Sequence, residues 1–334
     1  MREALVIGGT RYIGRHAVED LLAHDYRVTL FNRGNHPNPF ADDDRVAHHA
    51  GDRTDDRALL EAARAVDPDV VLDVVAFHPR EVQRATETFA DVDAYVYVSS
   101  GRAYARDDVP KRVDVTPLRP CTADQATDDS IETYGNRKAE CDRSVFRAAE
   151  RGVNAMVLRP TVVYGPYDYT GVFGYWIDRV NAHDRVLVPG DGTNVWQRAY
   201  VEDVAAALRI VAEEGEAGGA YNVGDANALT LGDTVRAVAD ALDADVELVH
   251  ANERELATGG LSYDSFTLHR DGAHVLDTRE LEALGWSSTP VETAIERTVA
   301  DFLDGGRPGG DTGPVDGGPD RADEETVLEI LDTI

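Results

Sequence analysis

The stretch from Ala4 to Arg15 constrains this chain more than any other. Ala4-Leu-Val-Ile7 is a short apolar run that predicts a buried strand. Gly8 and Gly9 follow it, then Thr10, Arg11, Tyr12, Ile13 and Gly14. Ile13, Ala17, Val18, Leu21 and Leu22 then recur at helical spacing. Glycines between a strand and a helix let the backbone turn tightly and approach a pyrophosphate, which rests on free N–H groups at the positive end of the helix. A glycine turn alone often only packs a helix on a sheet. Here the strand before and the helix after supply the context for dinucleotide binding, with Gly8, Gly9, Thr10, Arg11, Tyr12, Ile13 and Gly14 as its residues.

Counting back from Gly14, a Gly-x-x-Gly-x-x-Gly pattern would want glycine where Arg11 stands. The segment resembles the opening of the extended short-chain dehydrogenase/reductases, the family of sugar-nucleotide epimerases and dehydratases. The variant Gly-Gly-Thr-Arg-Tyr-Ile-Gly is similar to an atypical branch that includes chloroplast RNA-binding relatives. The resemblance implies an α/β chain: a Rossmann domain with a doubly wound parallel sheet, and a smaller C-terminal substrate-binding lobe.

Composition narrows the setting. The 334 residues suffice for one large or two medium domains. Formal net charge is −29, and lysine occurs only at Lys111 and Lys138. An acidic surface nearly emptied of lysine fits a halophilic protein, in which salt screens self-repulsion. The same charge disfavours nucleic acid, which needs a basic footprint. Cys121 and Cys141 have no metal or redox spacing, so free thiols in a reducing, cytoplasmic setting are expected, and no metal. The first strand begins at once, so no signal peptide is expected, and no apolar run approaches membrane-spanning length.

Further strands are predicted at Arg27–Phe31, Val46–Ala50, Val70–Ala76, Ala94–Ser99 and Asn154–Pro160, alternating with helical stretches. That alternation argues a doubly wound parallel sheet with ligands at the carboxyl ends of its strands. Asn32 and Arg33 follow the second strand, where NAD-preferring folds place an acidic residue. Asn32 can still hydrogen-bond a ribose, while Arg33 and Arg11 suit a 2′-phosphate, so NADP is favoured slightly over NAD. Both arginines are otherwise solvated surface groups. Asp52 ends the third strand and either meets the adenine, as the resemblance implies, or caps the next helix. Ala76 and Phe77 would lie beside the cofactor.

Val98-Ser-Ser-Gly-Arg-Ala-Tyr104 is similar to the family's Ser-Ser-x-x-x-Tyr signature, which makes Ser100 the catalytic serine. Asp107 to Asp129 reads as a long surface insertion over the site. Tyr134-Gly-Asn-Arg-Lys138 then opens a helical segment. Residues four apart share a helix face, so the ammonium lies near the phenol and stabilises its phenolate. A lysine kept here, in a chain that has almost discarded lysine, argues for a role arginine cannot fill. The resemblance also has Lys138 hold the nicotinamide ribose.

Thr161-Val-Val-Tyr-Gly-Pro166 is similar to the family's crossover into the substrate lobe, with Tyr164 as a substrate-lining candidate. In nucleotide-sugar epimerases an arginine grips the substrate diphosphate at the position held here by Trp196. Arg198 lies two residues along and, on a strand, shares its face. Trp196 suits stacking on a sugar or base. Ala220–Gly224 resembles the family's final strand and turn, Leu229 to Leu242 reads as an amphipathic helix, and Val186–Gly192 as a short strand and turn.

The expected domains are 1–165, with 193–224 returning to it, as the NAD(P)-binding Rossmann domain. The substrate-binding lobe takes 166–192 and 225–304, and 305–334 is a flexible acidic linker with a short tail helix. That helix docks on its own body or on a partner subunit, which would make a homodimer. The implied activity is an NAD(P)-dependent oxidoreductase or epimerase acting on a hydroxyl or carbonyl of a sugar-like small-molecule substrate. Ser100, Tyr134 and Lys138 do the acid–base work. Dehydration is disfavoured, because Gly101 and Arg102 replace the acidic pair that usually follows the serine. The alternative is an RNA-binding or regulatory protein that keeps the fold without turnover.

Overall fold

The computed structural model describes residues 1–305 and 317–333. They form two compact units: 1–161, 201–224 and 276–288 make the first, and 162–200, 225–275, 289–305 and 317–333 the second. The first segment runs β1 (Glu3–Ile7), α1 (Tyr12–Ala23), β2 (Arg27–Asn32), β3 (Val46–Ala50), α2 (Asp56–Val66), β4 (Val70–Asp73), α3 (Pro79–Thr88), β5 (Ala94–Val98), α4 (Tyr134–Glu150) and β6 (Ala155–Pro160). The second unit then takes β7 (Val162–Tyr164), α5 (Gly174–Ala182), β8 (Arg185–Pro189) and β9 (Arg198–Tyr200). α6 (Val201–Glu214) and β10 (Ala220–Val223) return to the first. α7 (Leu231–Ala241), β11 (Glu247–Ala251) and α8 (Glu253–Leu256) belong to the second, α9 (Arg279–Glu282) to the first, and α10 (Val291–Leu303) and α11 (Arg321–Leu331) to the second.

In the first unit seven parallel strands stand in the order β10-β6-β5-β4-β1-β2-β3. The order reverses at β1, with β2 on one side and β4 on the other. That switch point opens a crevice at the strands' carboxyl ends. The apolar runs of β1, β4, β5 and β6 are buried on both faces, as a sheet covered by helices on both sides requires. β4 stops at Asp73, short of the Val70–Ala76 run. Asp73 is fully buried, and the Arg53 guanidinium and the Tyr95 hydroxyl (2.7 Å) both donate to it.

The second unit has its own core, built around Phe173, Trp176, Val188, Val235, Ile295 and Val327. β8 pairs with β11 and β7 with β9, both in parallel. The β7–β9 pairing keeps 193–200 in this unit, where the sequence had them returning to the first. Residues 276–288 go to the first unit instead, and Trp286 Nε1 donates to Asp203 O at the start of α6 (2.9 Å). The tail helix α11 docks within the second unit: Val327 and Leu328 enter its core, and buried Glu324 accepts from Arg179 Nε at 2.8 Å. The linker expected at 305–319 lies largely outside the described residues. Among the described residues no helix is long and apolar enough to cross a membrane, and no cluster of side chains is suited to a metal ion.

Candidate active site

The glycine turn sits where β1 meets the crevice. Gly8 and Gly9 hold φ of +120° and +90°, open to glycine and strained for other residues. A Cβ on Gly14 would stand 2.7 Å from Gly9 N, so α1 rests directly on the turn. Arg11, where the pattern wanted glycine, has an ordinary extended backbone (φ −135°, ψ 147°). The substitution therefore costs the turn nothing, and the left-handed backbone falls instead on buried Tyr12 (φ 42°). The Arg11 side chain does not cap α1. Glycine at each close approach and a helix start without a side-chain cap fit the pyrophosphate of a dinucleotide. Arg11 is exposed, its Nη1 3.3 Å from His36 Nε2, and Thr10 and Ile13 complete the turn half-buried.

Asn32 braces this turn: its Nδ2 donates to Gly8 O (2.8 Å) and its Oδ1 accepts from Gly34 N (2.9 Å). Arg33 beside it is exposed. Asp52 folds onto Thr54, accepting from its N–H and hydroxyl, and these bonds hold its carboxyl below the ordinary carboxylate range. The cap of α2 is Asp55, which accepts from Arg57 N.

α4 opens on Tyr134, half-buried, with Lys138 one turn along. Lys138 is 4% exposed, and its Nζ donates to Ala76 O (2.8 Å) and Val98 O (2.9 Å). One ammonium thus ties together the chain leaving β4 and the end of β5. It stands 4.8 Å from the Tyr97 ring centroid, 5.1 Å from Phe77 and 5.8 Å from Tyr134. Phe77 is 49% exposed, its ring 6.4 Å from that of Tyr134. Ser100 follows β5, and its Oγ accepts from Arg102 N (3.2 Å) to cap a single helical turn. That turn lies against α4: a Cβ on Gly135 would meet Arg102 O at 2.4 Å, and the Arg102 guanidinium stands 5.7 Å from the Tyr134 ring. The structure therefore brings Ser100, Tyr134, Lys138, Ala76 and Phe77 together at the carboxyl ends of β4 and β5.

Sequence reasoning missed Gly135, whose position inside the Tyr-x-x-x-Lys spacing was the available signal. It also missed the buried network behind the site. Arg159 Nε donates to Asp142 (2.8 Å) and its Nη1 to the Tyr104 hydroxyl (2.9 Å), which donates on to Asn222 Oδ1 (2.8 Å). Burial drives the Tyr97 hydroxyl well above its ordinary range, so it stays a phenol under Lys138.

The three candidates in the second unit have different settings. Tyr164 is fully buried between the rings of Phe173 (5.0 Å) and Tyr200 (5.8 Å). Trp196 is half-buried, flanked by His274 (6.1 Å) and by the Arg270 guanidinium (5.5 Å). Arg198 is 2% exposed.

A model of the NAD dependent epimerase/dehydratase family matches residues 4–224. The chain is 29% identical to the chloroplast stem-loop binding protein of 41 kDa b of Arabidopsis thaliana over 271 residues, 77% of this chain and 68% of that one. It is 27% identical to dTDP-glucose 4,6-dehydratase 1 of Escherichia coli, covering 78% of this chain and 72% of the other. The Bacillus anthracis dTDP-glucose 4,6-dehydratase, solved in complex with NAD, has the same fold: TM-score 0.71 at 19% identity, over 91% of this chain and 97% of that one.

Proposed function

Because the chain belongs to the NAD dependent epimerase/dehydratase family, we propose that it is an NAD(P)-dependent enzyme acting on a hydroxyl or carbonyl carbon of a sugar-nucleotide-like substrate. The observation that carries this reading is the cluster at the ends of β4 and β5. Tyr134 and Lys138 lie on one face of α4, with the Ser100 turn packed against the same helix. The dehydratases in sequence and fold similarity support the substrate class.

A dinucleotide held at residues 8–14 would supply hydride transfer at the carbon that bears the reacting oxygen. Tyr134 takes the proton from that oxygen during oxidation and gives it back during reduction. Ser100 donates its hydroxyl hydrogen to the same oxygen and orients it. Lys138 fixes a positive charge one helical turn from Tyr134 and holds the nicotinamide ribose. Residues 8–14 cradle the pyrophosphate. Exposed Arg11 and Arg33 receive a 2′-phosphate, which favours NADP. Arg102, not an acid, stands near Tyr134, which favours epimerisation or simple oxidoreduction over dehydration. The nucleic-acid role in the Arabidopsis relative's name finds little support in a net charge of −29.

The test is turnover of purified protein on a panel of sugar nucleotides with NAD(H) and NADP(H). Tyr134→Phe should keep cofactor affinity and lose roughly a hundredfold or more in turnover, the scale of lost acid–base catalysis. Unchanged turnover in that variant would sink the mechanism.

A further inference from the structure

Most buried arginines of this chain have a visible partner. Arg159 donates to Asp142 and Tyr104, Arg179 to Glu324 and Pro319 O, Arg137 to Ser130 O, and Arg53 to Asp73. Arg198 differs. It is 2% exposed, yet its guanidinium makes no hydrogen bond and no ion pair with any described residue, and its Nε is buried without an acceptor. The Phe173 ring lies 6.0 Å away. Asp225 is the carboxylate whose charge reaches it most directly, but Asp225 Oδ1 is committed to Tyr200 N (3.0 Å). Burial accordingly pulls the Arg198 guanidinium below its ordinary value.

A buried charge without hydrogen bonds costs several kcal/mol, and folded chains rarely carry one without a use. A guanidinium offers a planar fork of donors that matches phosphoryl and carboxylate oxygens. The register of β9 fixes where the fork stands: Arg198 lies opposite Val162 on β7. A cavity of about 630 Å³ in the same unit, lined by Asp191, Asn194, His250, Glu255, Tyr263 and His269 among others, has two carboxylates and no lysine or arginine in its lining and is a poor host for an anion.

We propose that Arg198 is the anion receptor of the second unit, taking the phosphoryl or carboxylate oxygens of an anionic substrate. This rests on the enzyme reading above and deepens it by naming the charge class of the substrate. The receptor also differs from the family's pattern, since the position of the usual clamp is Trp196. Tyr164 and Phe173, the aromatic neighbours of Arg198, bracket 165–172, where Gly165, Tyr167 and Gly171 hold positive φ and Tyr167 and Tyr169 are exposed. Movement of that segment admits the anion. The unpaired charge then gains its missing hydrogen bonds, and the folded state is stabilised by binding.

The experiment compares wild type, Arg198→Met and Arg198→Lys by thermal melting at fixed molar KCl. Saturating NAD or NADP, whichever binds, keeps the glycine turn filled. Inorganic pyrophosphate and glucuronate are the two probes, and the one that raises the melting temperature tells phosphoryl from carboxylate. Without probe, Arg198→Met should melt at or above wild type, because it removes an unpaired buried charge. Its probe affinity should be roughly tenfold or more weaker, the loss expected from charge-assisted hydrogen bonds. Arg198→Lys, which keeps the charge and not the fork, should fall between and serves if the methionine variant fails to fold. Wild-type probe response in Arg198→Met, or in Arg198→Lys if only that variant folds, overturns the proposal. So does a wild type that neither probe moves. Titrations of the same proteins with NAD and with NADP separate the two readings. Binding of either cofactor without a probe response removes Arg198 and leaves the enzyme reading standing, whereas absent binding of both removes the enzyme reading itself.

Discussion

Lys138→Met tests the site at the residue with the best-defined contacts. The variant keeps the side-chain stem over Tyr97 and removes the ammonium that donates to Ala76 O and Val98 O at 2.8 and 2.9 Å. Hydrogen bonds from a charged donor contribute about 1.5–3 kcal/mol each, so the gross loss is about 3–6 kcal/mol. Two effects offset it. An ammonium 4% exposed carries a desolvation cost of several kcal/mol that the variant no longer bears. Ala76 O also keeps the Tyr97 hydroxyl, which donates to it at 3.3 Å. The net loss should be about 1–2 kcal/mol, or roughly 1–3 °C in melting temperature for a chain of 334 residues. Turnover should fall by roughly a hundredfold or more, because proton transfer at Tyr134 loses its neighbouring charge, and cofactor affinity should fall with it. Calorimetry, cofactor titration and the near-ultraviolet absorbance of reduced nicotinamide read the three effects separately. A folded variant that turns over within a few-fold of wild type refutes the catalytic role. A large drop in melting temperature with activity lost only in proportion to unfolding makes Lys138 a clip between two strand ends and nothing more.

Salt should act on the whole chain: with a net charge of −29, melting temperature should rise between dilute buffer and molar KCl, and an equal or lower value in KCl would refute the adaptation. Arg33→Ala should weaken NADP more than NAD; equal weakening of both in paired titrations would clear Arg33 of contact with a 2′-phosphate. Burial pushes the Cys141 thiol up to about 12, so of the two cysteines only Cys121 should react with a thiol reagent in mild alkali until denaturant is added. The unfolded thiol titrates near 8.5, below the folded value, so the contribution of Cys141 to stability is present below about pH 8.5 and lost as pH rises toward 12. The alkaline limb of wild type should therefore be steeper than that of Cys141→Ala.

The sheet was legible because its strands are short apolar runs and its helices have a strong apolar period; β1, β2, β3, β5 and β6 lie within a residue or so of their runs. β4 ends at Asp73, which Arg53, 20 residues back, reaches in to neutralise, and a local pattern carries no such partner. β11 (Glu247–Ala251) is half exposed and lacks an apolar run, so nothing local marked it as the partner of β8. The spacing of Tyr134 and Lys138 put both on one helix face, but it could not show that two backbone carbonyls hold the lysine. Gly135 was invisible for a related reason: its need is set by Arg102 O, a through-space neighbour. Arg198 shares a face with Trp196 if the segment is read as strand. That its guanidinium finds no hydrogen-bond partner among the described residues follows only from three-dimensional packing.

The first unit is assembled from three separated chain segments, and this orders its birth on the ribosome. β6 finds its outer neighbour only in β10, and α1 is held to α6 through Arg209 and Asp20 (2.8 Å) and Tyr26 and Glu213 (2.9 Å). Asn222 then donates to Lys111 O (3.2 Å) and Asp277 O (3.0 Å), joining all three segments at one side chain. At synthesis rates of about 5–20 residues per second, the nascent chain waits roughly 3–13 s between emergence of β6 and of β10. During that interval β6 presents an open sheet edge and α1 an uncovered face, the features that recruit chaperones or misassociate. Chains that stop after Tyr200 should therefore aggregate although they contain every glycine, serine, tyrosine and lysine of the candidate site.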